Sequence, residues 1–261
     1  PFYFWGWLIG EIKKKHPDVL FLAEAFTRPK IMNELAKQGF SQSYTYFTWR
    51  NTKAELIEYV TELTQSSQKE FYRPNFWPNT PDINPFALQG GNESIHLQKY
   101  FLAATLSSNV GIYGPVFEYM ISAPMAPGKE EYLDSEKYEF VKWDWSIQNN
   151  LTRRITQINA IRKEQNSLQQ TNNIVFCETN NDQVIAYYKY DDNKQNETLM
   201  VVSLNDQHVV QAMVRLPYPQ LGNQPIRVHD LITDATYYWE NEWNFIELGP
   251  NVPFHLFKII K

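Results

Sequence analysis

Two textures divide this chain, and the first constrains its fold most. Up to about residue 115, helix-type and strand-type patterns alternate. FYFWGWLIGEIKKK places Phe4, Trp5, Leu8 and Ile12 on one face and three lysines near its end, where cations suit the helix dipole. Pro17 stops it. VLFLAEAF, residues 19–26, is apolar and bounded, the type of strand that lies buried in a parallel sheet. RPKIMNELAKQG reads as a helix with Pro29 near its start and Gly39 at its end. FSQSYTYF reads as a strand. Thr52 can cap the helix TKAELIEYVTEL, and residues 66–69 form a polar loop. RPNFWPNTPDINP carries four prolines and must be mostly non-helical. ESIHLQKYFLAATLS is a helix and NVGIYGPV a short strand. Such alternation argues for right-handed βαβ units around a parallel sheet.

LTRRITQINAIRKEQ is one more helix, and after Asn166 the pattern changes. Short apolar runs, from NIVFCETN and QVIAYYKY to NFIELG and HLFKII, follow at close intervals broken by Asn, Asp, Gly and Pro. This is the signature of an antiparallel β-sandwich. The expected boundary lies near residue 168, which divides the chain into 1–168 and 169–261.

Composition excludes several classes of function. The 24 basic and 29 acidic residues are spread along the chain, with a net charge of −5, so no basic cluster invites nucleic acid. A single cysteine, Cys177, allows no internal disulfide and fits a reducing, cytoplasmic setting. No metal-ligand cluster stands out, and no cofactor is implied. No run of ~18 apolar residues suggests a membrane span. The chain opens at Pro1, without Met, inside sequence that reads as ordered; the expectation is a cut through a longer protein. Aromatics reach 15%, which serves either core filling or stacking on sugar faces.

Two carboxylates carry the chemistry. Glu24 ends an apolar strand, where Leu22 and Ala23 would desolvate it and raise its pKa, as suits a general acid. The alternative is a loop acid paired with Arg28. Asp82, in FWPNTPDINP, falls after the next-but-one strand, again at the strand ends where parallel α/β barrels place their chemistry. Its alternative is an Asp opening a turn after Pro81. Two carboxylates on one rim among aromatics suggest glycoside chemistry.

FLAEAFTRP, GFSQSYTYFTWR, FWPNTPD, YGPVFE and EEYLDSEKYE, in this order, closely resemble the α-amylase superfamily. Within it they are most similar to the bacterial α-1,4-glucan:maltose-1-phosphate maltosyltransferases. The resemblance is strong from residue 1 to about 168 and weaker through the sandwich. It implies the C-terminal half of a (β/α)8 barrel, strands five to eight, followed by a β-sandwich. By the same resemblance Glu24 is the acid/base, and Asp82 is the third carboxylate, which holds substrate hydroxyls and supports the transition state. Lys137 and Tyr138 bind the far end of the maltosyl group; read without the family, EEYLDSEKYE is a solvated charge run. The His that precedes the third Asp in many relatives is Pro81 here, as in the maltosyltransferase branch.

The remaining candidates stay open. Arg28, Gln42, Tyr44, Tyr46 and Trp49 line a cleft or fill a core. Glu118 is an acid at the rim of strand eight or a structural hydrogen-bonding residue. His16, His96 and His255 read as surface or capping residues, and Trp239 and Trp243 as glucan contacts or ordinary exposed rings. The family's nucleophile Asp is expected just before the segment matching PFYFW, and nothing in 1–261 replaces it by motif; Asp18 precedes its strand. The chain alone is therefore expected to be inactive. The longer protein is expected to be a homodimer acting on maltose 1-phosphate and α-1,4-glucan. A hydrolase of the same superfamily and a noncatalytic glucan-binding protein are the competing readings.

Overall fold

The structure, a computed structural model, describes residues 1–260. Helix α1 (Phe2–Lys15) is followed by strand β1 (Leu22–Ala23), α2 (Pro29–Ala36), β2 (Gln42–Tyr44), α3 (Lys53–Gln65), β3 (Pro74–Phe76), α4 (Glu93–Leu106), β4 (Asn109–Val110) and the short α5 (Gly114–Glu118). Strands β1 to β4 pair in chain order, all parallel, with Leu22 beside Gln42, Ser43 beside Pro74 and Asn75 beside Asn109. The helices start where their caps dictate. Thr52 and Glu55 form a reciprocal capping box on α3, and the Asn92 side chain accepts from Ile95 N at the start of α4. Pro74 is tolerated because it is the first residue of its strand.

Helix α6 (Asn150–Glu164) packs on α4 and leads into the second layer. There β5 (Ile174–Cys177), β6 (Val184–Tyr190), β7 (Glu197–Ser203), β8 (Val210–Arg215), the turn of helix α7 (Tyr218–Leu221), β9 (Ile226–Asp230), β10 (Thr236–Trp239), β11 (Trp243–Leu248) and β12 (Phe254–Ile260) follow. Six strands form an antiparallel sheet in the order β10-β9-β12-β7-β6-β5, and β11 pairs with β8 as a second ribbon. Val184, Tyr188 and Val201 of the sheet bury against Ala212, Val214 and Ile246 of the ribbon. The fold class is therefore α/β followed by an antiparallel β-sandwich.

One core spans both parts. Helix α4 is buried on nearly every side, and its Phe101 stacks on Phe254 of β12 with centroids 4.1 Å apart and planes 9° apart. Leu97, Tyr187, Met200 and Leu256 belong to the same cluster. A helix apolar all round is the form expected of an element sandwiched between two layers.

Several sequence expectations change in three dimensions. VLFLAEAF is not a buried strand. Only Leu22–Ala23 are extended, Leu20 is 69% exposed, and Ala23 alone is buried, because β1 is an edge strand whose one partner among the described residues is β2. FSQSYTYF stops as a strand at Tyr44 and turns into a 3-10 helix over Tyr46–Trp49, capped by Thr45. Residues 66–69 are no open loop; Ser66 caps a 3-10 turn over Ser67–Glu70. NVGIYGPV keeps only two strand residues. At Gly111 a Cβ would lie 2.3 Å from the Trp77 ring, so the backbone passes where no side chain fits. On α1 the buried residue is Ile9, while Phe4 lies exposed.

Candidate active site

The turn that carries Asp82 is tightly built. Thr80 N donates to Ile83 O and Ile83 N to Thr80 O, at 3.1 and 3.2 Å, which leaves Pro81 and Asp82 at an exposed tip. Asn79 fixes its base: its amide donates to Tyr132 Oη at 2.9 Å and its carbonyl oxygen accepts from Tyr113 N at 2.9 Å. Asp82 thus stands where β3 ends, and Glu24 directly follows β1. The two carboxylates sense each other. Burial raises the pKa of Glu24 first, and the negative charge of Asp82 raises it further.

Lys137 completes the group. Its Nζ lies 3.4 Å from Asp82 Oδ1 and 3.6 Å from Glu131 Oε1, and 5.6 Å over the Tyr138 ring. The hydrogen bond to Asp82 and the charge of Asp82 both raise the Lys137 pKa, so the ammonium stays charged at neutral pH. Tyr138 is exposed beside it. Within EEYLDSEKYE only Tyr132 and Ser135 are buried, while Lys137 and Tyr138 lie exposed. Arg28 is not drawn in: it lies exposed at the N-cap of α2, and it is not among the groups that shift Glu24.

Aromatic rings form the wall beside Glu24. Phe26 meets Trp49 edge-on at 5.2 Å and Tyr44 at 6.0 Å, and Tyr44 packs on Trp77 at 4.8 Å. Burial and the Glu24 charge raise the Tyr44 pKa, which places that hydroxyl in the field of the acid. Tyr46 turns away, donating its hydroxyl to Thr27 O. Gln42 lies at the start of β2, away from the strand ends that carry the carboxylates.

Other candidates leave the site. Glu118 offers its backbone carbonyl to Asn149 Nδ2 at 2.8 Å, and burial raises the pKa of its carboxyl. His16 ends α1, as a capping residue should. His96 is neither surface nor cap. It is buried, with Nδ1 2.9 Å from Asn92 O and the ring against Phe117 at 5.2 Å. His255 pairs through Nδ1 with the fully buried Asp230 at 2.8 Å. Trp239 is buried against Phe257 at 5.2 Å, which removes it as a glucan contact, and Trp243 packs under Arg215 at 6.0 Å.

A groove of about 570 Å³ lies elsewhere, where α3 meets the sandwich, lined by Asn51, Lys53, Asp182 and Gln183. Its lysine is committed to Thr179 Oγ1 at 2.7 Å. The carboxylates stand instead on an open rim. Among the described residues no group of three or more His, Cys, Asp or Glu side chains could hold a metal ion, and no helix is long and apolar enough to cross a membrane.

The family described as GLGE, C-terminal, matches residues 176–259. The α-1,4-glucan:maltose-1-phosphate maltosyltransferase of Chlorobaculum tepidum is 47% identical over 99% of this chain and 40% of its own length. The protein of the same name from Methylacidiphilum infernorum is 47% identical over 99% of this chain and 39% of its own length. The chain is GlgE-like. It spans about two fifths of the curated relatives it matches. The fold extends the likeness to more distant proteins. An α-amylase from Geobacillus thermoleovorans, complexed with acarbose, superposes with a TM-score of 0.75 at 15% identity, covering 100% of this chain and 57% of that one. AmyP in complex with maltose gives 0.75 at 13% identity, covering 99% of this chain and 61% of that one.

Sequence reasoning passed over Glu130 and Glu131 as individual residues, as well as Asn79, Tyr113 and Trp77. No local signal marks them. Their roles come from contacts between loops that are distant in sequence.

Proposed function

We propose that this GlgE-like chain supplies the acid/base side of a site for retaining maltosyl transfer from maltose 1-phosphate to an α-1,4-glucan. One observation carries the reading: Glu24, Asp82 and Lys137, from three separate segments, form one electrostatic group. In this mechanism Glu24, whose pKa is raised by partial desolvation and by the charge of Asp82, gives its proton to the departing phosphate oxygen. A carboxylate nucleophile takes the sugar from the opposite face, which calls for a second carboxyl about 5–5.5 Å from the acid. The reading assigns that nucleophile to sequence outside residues 1–261. Glu24, now ionised, removes the proton from the acceptor 4-hydroxyl. Asp82 receives sugar hydroxyls, and Lys137 and Tyr138 hold the far glucosyl unit through donors and a ring face. Arg28, exposed at the start of α2 and apart from the carboxylate group, is assigned a contact to substrate alone.

The four parallel strands in consecutive order support the reading of 1–168 as an arc of a (β/α)8 barrel, with 169–261 as its sandwich domain. A homodimeric, cytoplasmic whole protein belongs to the same proposal, and light scattering on the complete protein tests the first part. The deciding experiment is phosphate release from maltose 1-phosphate by the complete protein, with a maltooligosaccharide acceptor. Glu24→Gln should lower kcat by roughly 10²–10⁴-fold. Wild-type rates in Glu24→Gln would overturn the reading.

A further inference from the structure

The dipeptide Glu130–Glu131 reaches two walls of the candidate cleft at once. The Glu130 carboxylate accepts from Trp49 Nε1 through both oxygens, at 2.9 and 3.1 Å. Trp49 in turn meets Phe26, two residues beyond Glu24, edge-on at 5.2 Å. Glu131 pairs with Lys137, the cation that also meets Asp82. The backbone here is tied to the Asp82 loop. Glu130 O accepts from Asn84 N at 2.6 Å, Lys129 O accepts from Gln89 Nε2 at 2.8 Å, and Tyr132 Oη donates to Ile83 O at 3.2 Å.

This arrangement has a cost and therefore wants a reason. Two adjacent carboxylates repel, and both are partly buried. Each is compensated by a donor from a different segment, an indole N–H on one side and an ammonium on the other. A charge-assisted hydrogen bond is shorter and more directional than a neutral one, so it orients the group it holds. The indole held by Glu130 meets Phe26, two residues beyond the acid. The ammonium held by Glu131 stands beside the second carboxylate.

We propose that Glu130 and Glu131 are positioning residues for the transfer reaction, Glu130 fixing the Trp49 wall beside Glu24 and Glu131 fixing Lys137 against Asp82. The inference rests on the reading of Glu24 as the acid/base. Neither residue need touch substrate. Glu131 holds Lys137 so that one Nζ serves both Asp82 and a sugar hydroxyl. Glu130 keeps the ring next to Phe26 from turning into the cleft.

Two double-mutant cycles in the complete protein test this, read as kcat and KM for maltose 1-phosphate. Glu131→Gln should raise the donor KM on the order of 10-fold with a smaller change in kcat, and should add nothing in a Lys137→Met background. Glu131→Asp should recover part of the loss. Glu130→Ala should lower kcat/KM on the order of 10-fold and add nothing in a Trp49→Phe background. The indole N–H resonance of Trp49, identified by its loss in Trp49→Phe, should move upfield in Glu130→Ala, a readout independent of turnover. Additive effects in both cycles, or an unmoved indole resonance, would overturn the positioning role while leaving the Glu24 reading intact. Full activity in Glu24→Gln would remove both.

Discussion

Lys137 Nζ stands 3.4 Å from Asp82 Oδ1 and thereby ties the loop after β3 to the segment that precedes α6. The pair is open to solvent, so it does little for stability and its value lies in placement. On the proposed function, Lys137→Met in the complete protein should lower kcat/KM for maltose 1-phosphate on the order of 10-fold and leave the melting temperature nearly unchanged. Lys137→Arg should restore only part of the rate, since a planar fork cannot replace a compact ammonium at the same two partners. Steady-state rates beside thermal melts check both statements.

The raised pKa of Glu24 makes a prediction with a definite sign. Its causes are burial and then the charge of Asp82. Asp82→Asn removes the second cause, so the pKa of the acid, read from the pH profile of the residual activity, should fall toward the ordinary carboxyl range. For stability, a carboxyl raised in the folded state binds protons more tightly there than in the unfolded chain. The folded state therefore loses stability as pH rises through the raised value. Glu24→Gln should accordingly melt slightly higher than wild type at pH 7, while losing activity. A lower melting temperature would contradict the assignment of burial as the main cause.

Two buried lysines should shape the stability profile. Burial lowers the Lys99 pKa to about 7, with Glu55 pulling the other way; burial and then the charge of Arg162 lower Lys189 to about 7. Lys99 Nζ donates to Arg50 O at 2.7 Å, and Lys189 Nζ to Thr105 O at 3.2 Å and Gln170 O at 2.5 Å. In the unfolded chain both titrate near ~10.4. Between these values the unfolded chain holds protons that the folded state has released, so stability rises with pH. The melting temperature should climb between pH 7 and pH 9, and Lys99→Met and Lys189→Met should each flatten the climb. Calorimetry over that range decides it.

The stacked pair Phe101 and Phe254 joins α4 to the sandwich. Phe101→Ala opens a cavity in a site with no exposure and should cost about 3–5 kcal/mol. Because one core runs through both parts, wild type should melt in a single transition. Two resolved transitions in Phe101→Ala but one in wild type would show that this contact carries the coupling; two in wild type would refute a shared core.

Much of the chain was legible before folding was considered. Helix α3 announces itself through Thr52, α4 through the long run ESIHLQKYFLAATLS, and the sandwich through closely spaced short strands. These signals are local: caps act over three residues, and periodicity over one or two turns. VLFLAEAF misled for a related reason. An apolar run records what could be buried, while its place at a sheet edge settles what is.

Residue type and order were enough to single out Glu24 and Asp82 as chemical groups, because motifs keep acids at strand ends within a few residues of their strands; Lys137 and Tyr138 entered only through the family resemblance. Their meeting, and the duties of Glu130, Glu131 and the buried Lys99 and Lys189, came from folding alone. A carboxylate finds an indole or an ammonium across loops only when parallel strands bring those loops to one rim. Whether a lysine keeps its proton depends on burial by elements far along the chain, and no window of neighbouring residues encodes that.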